Sequence, residues 1–245
     1  MSRRLVLILV AVLALTAACG GAASPVAQAT PIATPTPSPV PTAMTSVLAS
    51  GRLESIPPGS LFVNYMDLPQ AAGGSIKHQH IAGFVYSVQG THEMDVDGIA
   101  PLMIQPGGAA FIGATVMHAH VNPGASANDW WFIGLRPTSS RPLATIVPGQ
   151  KELYTTGDLT QIMPGAYMET LSSSHLPANG VDRQTGPSLR VIFLIEGALT
   201  VTGDAGATGT ISAGSGAYSL PGANLVLTAG TAGARYLTFS LTPAN

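Results

Sequence analysis

Four of the six histidines of the chain form two His-X-His pairs, His78 with His80 and His118 with His120. Each pair lies in a segment whose residue types are typical of a β-strand, and residues i and i+2 of a strand face the same side. Each pair therefore aims two imidazoles in one direction. Because imidazole is the commonest protein ligand of transition metals, the two pairs predict a pocket that holds a metal ion.

The N-terminal residues are typical of an export signal. Arg3 and Arg4 precede an apolar run over residues 5–15, which is too short to span a bilayer because a span needs about 20 apolar residues. Small residues then lead to Cys19, the only cysteine, in a pattern that resembles a bacterial lipobox. We predict that residues 1–18 are a lipoprotein-like signal and that lipidated Cys19 anchors an exported protein on the extracytoplasmic side of the membrane. The alternative is an ordinary secretory signal.

Residues 19–46 are rich in Pro, Thr and Ala, as in the run over residues 30–39. Regularly spaced prolines favour extended polyproline conformations without a buried face. We predict a disordered tether between the anchor and the folded part.

The rest of the chain has the composition of an all-β protein. Charged residues make up 9% of the whole sequence and form no basic stripe, so nucleic acid is not a predicted partner. Short alternating runs broken by glycine and proline are typical of a β-sandwich or barrel. No amphipathic helix of convincing length is present in the sequence pattern.

The sequence contains an internal repeat at an offset of about 107 residues. Four landmarks recur in the same order: residues 56–59 as 162–165, 68–69 as 176–177, 84–90 as 191–197, and 131–137 as 236–243. We predict two copies of one β domain, joined near residues 138–152.

The repeat carries a resemblance to the cupin superfamily. Residues 85–90 and 192–197 resemble the strand-and-glycine core of its first motif, and His78 and His80 stand where that motif carries histidines. Residues 105–112, followed by His118, are similar to its second motif, as are residues 213–221 in the second copy.

The resemblance implies a bicupin, that is, two tandem antiparallel jelly-roll barrels, over residues 47–142 and 143–245. Cupin motifs bring their metal ligands together inside the barrel mouth.

The first motif of this chain departs from the usual cupin pattern. Residues 81–84 contain no carboxylate where the motif supplies a glutamate, and Glu93 lies on the next strand. The resemblance then leaves three imidazoles, those of His78, His80 and His118, as ligands of one divalent transition metal. Neutral ligands favour Zn, Cu, Ni or Fe(II) over Mg or Ca, and the family adds Mn.

Two further histidines of the first copy leave alternatives open. His120 is a candidate fourth ligand or proton carrier, or it hydrogen-bonds a carbonyl of the rim or a water. His92 follows a predicted hairpin and is interpreted as a polar wall or surface residue, with ligation as the alternative. In the second copy Thr185, Pro187 and Val226 fall at the ligand positions by sequence counting, so we expect that barrel to be metal-free and structural.

These observations predict a lipid-anchored extracytoplasmic bicupin that binds one transition metal in its N-terminal barrel and binds or acts on a small organic ligand. One alternative is a three-histidine Fe or Cu enzyme that resembles the cupin dioxygenases of phenolic, diketone or thiol substrates, which we favour over a hydrolase or isomerase. Another is a structural surface lipoprotein with a relict site. The membrane, through the lipid anchor, and a second copy of the chain in a homodimer are further candidate partners.

Overall fold

The computed structural model describes residues 40–56 and 58–244. In chain order its strands are β1 (Met44–Leu53), β2 (Leu61–Gln70), β3 (Ser75–His78), β4 (Gly83–Gln89), β5 (His92–Val96), β6 (Leu102–Ile104), β7 (Ala109–Ile112), β8 (His118–Val121), β9 (Asn128–Pro137), β10 (Lys151–Thr155), β11 (Tyr167–Leu176), β12 (Val181–Gln184), β13 (Leu189–Thr202), β14 (Thr208–Ser212), β15 (Gly216–Ser219) and β16 (Leu225–Pro243). Two short 3₁₀ turns, Thr138–Ser140 and Asp204–Gly206, complete the regular structure. No helix in the described part of the chain is long and apolar enough to cross a membrane. The predicted signal and the lipidated Cys19 lie outside the described residues.

The first half of the chain forms two facing antiparallel sheets. One is five-stranded in the order β10-β2-β9-β4-β7, and the other is four-stranded in the order β3-β8-β5-β6. Their inner faces enclose a core cluster of Met66, Leu68, Val85, Met94, Ile104, Ala110, Ile112, Trp130, Phe132 and Val147. Strand alternation produces this core, since every second residue of a strand points to the same side.

The second half repeats the same order of strand pairings. β12 pairs with the start of β16 as β3 pairs with β8, and β15 pairs with the start of β13 as β7 pairs with β4. Here β13 and β16 are long enough to run through both sheets, so the two sheets are joined into one seven-stranded sheet. The predicted all-β fold of two tandem antiparallel jelly rolls is confirmed.

The two halves exchange strands across the linker. β1 pairs with β11 of the second half, and β10 pairs with β2 of the first half. β1 begins at Met44, inside the range predicted as tether, and the folded part therefore starts earlier than predicted. The residues around Met44 have the composition of the tether. They form a strand because they pair with β11, which lies far away in the sequence, and such pairing cannot be predicted from neighbouring residues.

The largest core cluster lies where the two halves pack against each other. The ring of Tyr65 stacks on that of Phe193 with centroids 5.1 Å apart, and the Tyr65 hydroxyl donates a hydrogen bond to the carbonyl of Val191 at 3.0 Å. Trp131 meets the same Phe193 edge to face at 5.3 Å. Stacked and edge-to-face aromatic pairs stabilise such contacts by about 0.5–1.5 kcal/mol beyond their buried area.

Strand register corrects the predicted correspondence between the two copies. His78 pairs with His118 at the end of β3, and the matching partners at the end of β12 are Gln184 and Leu225. The residues at the ligand positions of the second copy are therefore Gln184 and Leu225, not Thr185 and Val226. A shift of one residue in a strand moves a side chain to the opposite face, so this correction decides which residues point inward.

Candidate metal centre

Adjacent strands of the four-stranded sheet place the histidines together. β8 lies between β3 and β5, and its alternation turns His118 and His120 into the barrel while the residues between and after them face outward. His78 is the last residue of β3, directly opposite His118. The strand predicted for this pair ends at His78, so His80 is not placed by strand periodicity. It lies in the following loop, where the Thr115 N–H donates a hydrogen bond to the His80 carbonyl at 2.9 Å.

The structure brings His78, His80, His118 and His120 into one group. One ring nitrogen from each lies within 4.8 Å of the others. His118 and His120 are fully buried, whereas His78 and His80 are half-buried at the mouth. The group contains His120, which the sequence left open, and it contains no carboxylate. Glu93 lies on β5 between the buried His92 and Met94 and is turned away from the barrel interior.

Hydrogen bonds assign the protons on the buried rings. The Val116 carbonyl can only accept, so Nδ1 of His118, 2.8 Å away, carries a proton and Nε2 presents a lone pair. That Nε2 lies 3.0 Å from Nε2 of His120, and Nδ1 of His120 lies 3.0 Å from Nε2 of His92. Without a metal, one arrangement of protons satisfies all of these contacts. The Asn128 amide donates to Nδ1 of His92, Nε2 of His92 donates to Nδ1 of His120, and Nε2 of His120 donates to Nε2 of His118.

Burial keeps these imidazoles uncharged. Desolvation, followed by repulsion from neighbouring imidazoles and from Arg136, lowers the pKa of His78 to about 4 and that of His80 to about 2. Burial also lowers the pKa values of His118 and His120. At neutral pH the group therefore presents neutral rings with available lone pairs, which is the form that binds a metal.

Unpaired ring nitrogens show that the group fits a transition-metal ion. Nδ1 of His78 and both ring nitrogens of His80 are buried and have no hydrogen-bond partner among the described residues. A buried polar atom without a partner costs about 1–3 kcal/mol. A cation in the middle of the group would bind one nitrogen of each ring, and an all-imidazole set suits Zn, Cu, Ni or Fe(II).

Aromatic rings fix the orientation of two of the histidines. The Trp130 indole stacks on His120 with centroids 4.1 Å apart and planes inclined by 15°. Phe132 contacts His80 edge to face at 4.5 Å. Contacts of this kind restrict the rotation of both imidazoles.

His92 lies behind His120 and is completely buried, so its interpretation as a surface residue is wrong, whereas a polar residue of the barrel wall is what the structure shows. It is not a member of the four-histidine group. Its position at the hairpin suggested exposure, but as the first residue of β5 it faces the same interior as Met94. His175, by contrast, is exposed on β11.

A cavity of about 290 Å³ opens over the half-buried histidines. His78 and His80 form part of its wall together with Met66 and Leu68 of β2, and six linker residues also line it: Ser140, Pro142, Leu143, Ala144, Ile146 and Gln150.

Arg136 is a residue of this cavity that sequence reasoning missed. Its Nε donates to Oδ1 of Asn64 at 3.1 Å, and its guanidinium lies 4.7 Å from the centre of the Phe132 ring. Burial lowers its pKa to about 10, so it remains charged at neutral pH. No carboxylate of the described residues forms an ion pair with it. The feature of the sequence that could have identified Arg136 is that it is the single arginine of the mostly apolar strand β9.

Comparisons with known proteins agree with the fold. No protein-family model and no curated protein matches the chain. AerE from Microcystis aeruginosa is 15% identical over 84% of this chain and 98% of its own, with a TM-score of 0.54. Procruciferin, an 11S globulin from Brassica napus, is 12% identical over 81% of this chain and 85% of its own, with a TM-score of 0.52.

A salicylate 1,2-dioxygenase from Pseudaminobacter salicylatoxidans is 14% identical over 74% of this chain and 70% of its own, with a TM-score of 0.45. The likenesses to AerE and procruciferin, at 15% and 12% identity, show the fold alone, and that fold is the cupin jelly roll.

Proposed function

We propose that this chain is a bicupin whose N-terminal barrel binds one divalent transition metal through His78, His80, His118 and His120. The observation that carries the proposal is the group of four uncharged imidazoles within 4.8 Å, with buried nitrogens that have no other partner among the described residues. Fe, Zn, Cu and Ni suit this donor set best, and Mn remains a candidate.

A metal held there would act as a Lewis acid toward a ligand that enters the cavity. The residues of the chain supply the surroundings. Met66 and Leu68 give the cavity an apolar wall, and His92 holds the proton arrangement of His120 through its ring nitrogen. No carboxylate lines the cavity in the described residues, so any proton transfer within it would depend on the imidazoles.

We propose further that the ligand is a small organic anion. The Arg136 guanidinium lines the same cavity as His78 and His80, carries its charge, and has no carboxylate partner among the described residues. Its Nε is engaged by Asn64, which leaves its terminal nitrogens for a carboxylate of the ligand. Arginine binds carboxylates through two parallel hydrogen bonds.

The location of the protein is also a proposal. The residues before position 40 lie outside the described part of the chain, and the sequence alone supports export and anchoring through Cys19. Labelling with a radioactive fatty acid in a bacterial host would test this, with Cys19→Ser as the unlabelled control.

Metal content tests the central proposal. The purified protein, reconstituted in turn with Fe(II), Zn, Cu, Ni and Mn, should retain one ion per chain of at least one metal, whereas His118→Ala should retain none. His175→Ala is the matched control because that histidine is exposed on β11. Equal metal retention by the wild type and by His118→Ala would contradict the proposal. Oxygen consumption of the loaded protein with phenolic, diketone and thiol compounds then separates an oxygen-dependent enzyme from a binding protein.

A further inference from the structure

The second barrel has a cavity of its own, of about 230 Å³, and its lining is polar. Five hydroxyl side chains contribute to it: Thr45, Ser172, Ser174, Thr238 and Ser240. Asp182, Gln184 and Arg190 complete the polar set. None of the described residues that line it is a histidine, and its chemistry therefore differs from that of the candidate metal centre.

Strand register shows that the two cavities occupy equivalent places. In the second barrel Ser172 of β11 pairs with Thr238 of β16. The corresponding pair in the first barrel is Met66 of β2 with Phe132 of β9. Gln184 ends β12 as His78 ends β3. Hydroxyl and amide side chains in the second barrel thus stand where the first barrel has an apolar wall and a histidine.

Several polar atoms around this cavity are buried without a hydrogen-bond partner among the described residues. They are Oγ1 of Thr238, Oε1 of Gln184 and Nη1 of Arg190. Thr238 is only 5% exposed, so its hydroxyl is paired neither with protein nor openly with solvent. Unpaired buried polar atoms are costly, and these three belong to residues that line one cavity, which favours a polar ligand there.

Other atoms of the set are already held in place. Oδ2 of Asp182 accepts hydrogen bonds from the Tyr236 hydroxyl and from Nε2 of Gln184, both at 2.8 Å. The hydroxyls of Thr45 and Ser174 lie 2.8 Å apart, and Nη2 of Arg190 donates to the carbonyl of Thr185. Side chains fixed in this way lose little conformational entropy when a ligand binds.

The charges of the cavity define the class of ligand. Asp182 and Arg190 carry opposite charges, so the lining favours neither an anion nor a cation. Hydroxyl groups both donate and accept, and the unpaired atoms include the acceptor Oε1 of Gln184, the donor Nη1 of Arg190 and the Thr238 hydroxyl. A ligand that matches this mixture presents several hydroxyl groups and no net charge.

We propose that the C-terminal barrel binds a small neutral polyhydroxyl compound, a monosaccharide or a polyol, in this cavity. Binding requires no metal and is independent of the four-histidine group. The second barrel therefore has a recognition role in addition to its packing against the first.

Isothermal titration of the purified chain with glucose, mannose, galactose, sorbitol and myo-inositol tests the proposal. At least one compound should bind at one site per chain. Thr238→Val, which keeps the shape and removes the hydroxyl, should weaken binding at least tenfold, and so should Gln184→Leu. His78→Ala should bind the same compound as the wild type, so failure of the metal site and failure of this site are distinguishable.

The proposal would be overturned by no binding of any of the five compounds, by binding that Thr238→Val and Gln184→Leu leave unchanged, or by binding that is lost in His78→Ala. Circular dichroism and thermal melts establish that each variant is folded. If Gln184→Leu does not fold, Ser240→Ala replaces it, since Ser240 lines the same cavity and is only partly buried. Inorganic phosphate and acetate, added as ionic probes, should not bind at this site, and displacement of the sugar by either would also contradict the assignment.

Discussion

Nε2 of His92 lies 3.0 Å from Nδ1 of His120, deep in the first barrel and on the side of His120 away from His118. One of these two nitrogens must donate and the other must accept. The proton position on His120 is therefore coupled to that on His92, and His92 acts on the candidate metal centre without belonging to it.

Replacement of His92 should weaken metal binding. In His92→Phe the ring volume is kept but His120 loses its partner at Nδ1, and loss of such an outer hydrogen bond costs metal affinity about 10–100-fold. His92→Gln can still hydrogen-bond Nδ1 of His120 and should recover part of the affinity. Competition titrations with a chromophoric chelator measure both.

The matched control is His175→Ala on the exposed face of β11, which should bind metal like the wild type. Unchanged affinity in a folded His92→Phe protein would show that the contact between His92 and His120 does not support the site. Nitrogen-15 shifts of the imidazoles provide a second readout, because they report which ring nitrogen of His120 is protonated.

Arg136 should control ligand charge preference without holding the metal. Arg136→Met keeps the length of the side chain and removes the charge, so small carboxylates should bind the metal-loaded protein at least about tenfold more weakly, as expected when a hydrogen bond to a charged group is lost. Amides of the same acids should be unaffected by the substitution. Metal stoichiometry should remain that of the wild type, and carboxylate binding that does not change in Arg136→Met would contradict the anionic ligand.

Glu169 should make stability depend on pH. The side chain is fully buried in β11, both carboxylate oxygens have no hydrogen-bond partner among the described residues, and burial raises its pKa to about 8. Between its ordinary pKa of 4.5 and 8 the folded protein holds a proton that the unfolded chain releases. The free energy of unfolding therefore decreases as pH rises through this window, and the folded protein becomes less stable.

Glu169→Gln removes this titration and should flatten the pH profile of the unfolding midpoint, with the largest gain in stability at pH 8. Val63 occupies the matching position of β2, since Glu169 pairs with Leu241 as Val63 pairs with Leu135. Glu169→Val should therefore also be tolerated. Urea unfolding at pH 5 and pH 8 measures the effect, and an equal change at both pH values would show that Glu169 does not titrate in this range.

Addition of a side chain at Gly51 of the exchanged strand β1 should destabilise the folded protein. A Cβ there would lie 1.9 Å from the Phe111 ring of β7, so Gly51→Ala forces the ring or the strand to move. Overpacking of this kind typically costs about 1–3 kcal/mol. Gly209→Ala on β14 is the control, because a Cβ at that position meets nothing within 4 Å. Equal unfolding midpoints for the two variants would mean that Phe111 adapts freely.

Local pattern was enough to predict much of the fold and part of the candidate centre. Alternation of residue types and regularly placed glycines predicted strands, the repeat predicted two copies of one β domain, and the resemblance to cupins implied that each copy is a jelly roll. The His-X-His spacing predicted that His118 and His120 share a face, since the period of a strand is two. Residues 81–84 lack the glutamate of the cupin motif that they resemble, and the orientation of Glu93 on β5 was decided by the structure.

Tertiary structure decided the features that depend on which strands become neighbours. β8 lies between β3 and β5, and this order brings His120 into the group and buries His92 behind it. The pairing of β12 with β16 shows that Gln184 and Leu225 of the second copy correspond to His78 and His118. These positions differ by one residue from those predicted by counting along the sequence. Neither relationship has a signal within a short stretch of sequence.

The sequence by itself determined the strands, the duplication and the shared inward direction of His118 and His120, because these depend on backbone periodicity and on residues close together in the chain. Only the tertiary structure decided that Arg136 shares a cavity with His78 and that the hydroxyls of β1, β11 and β16 surround a second one. The reason is physical. Both cavities are formed by side chains from strands far apart in sequence, and long-range backbone pairing alone determines which of these side chains meet.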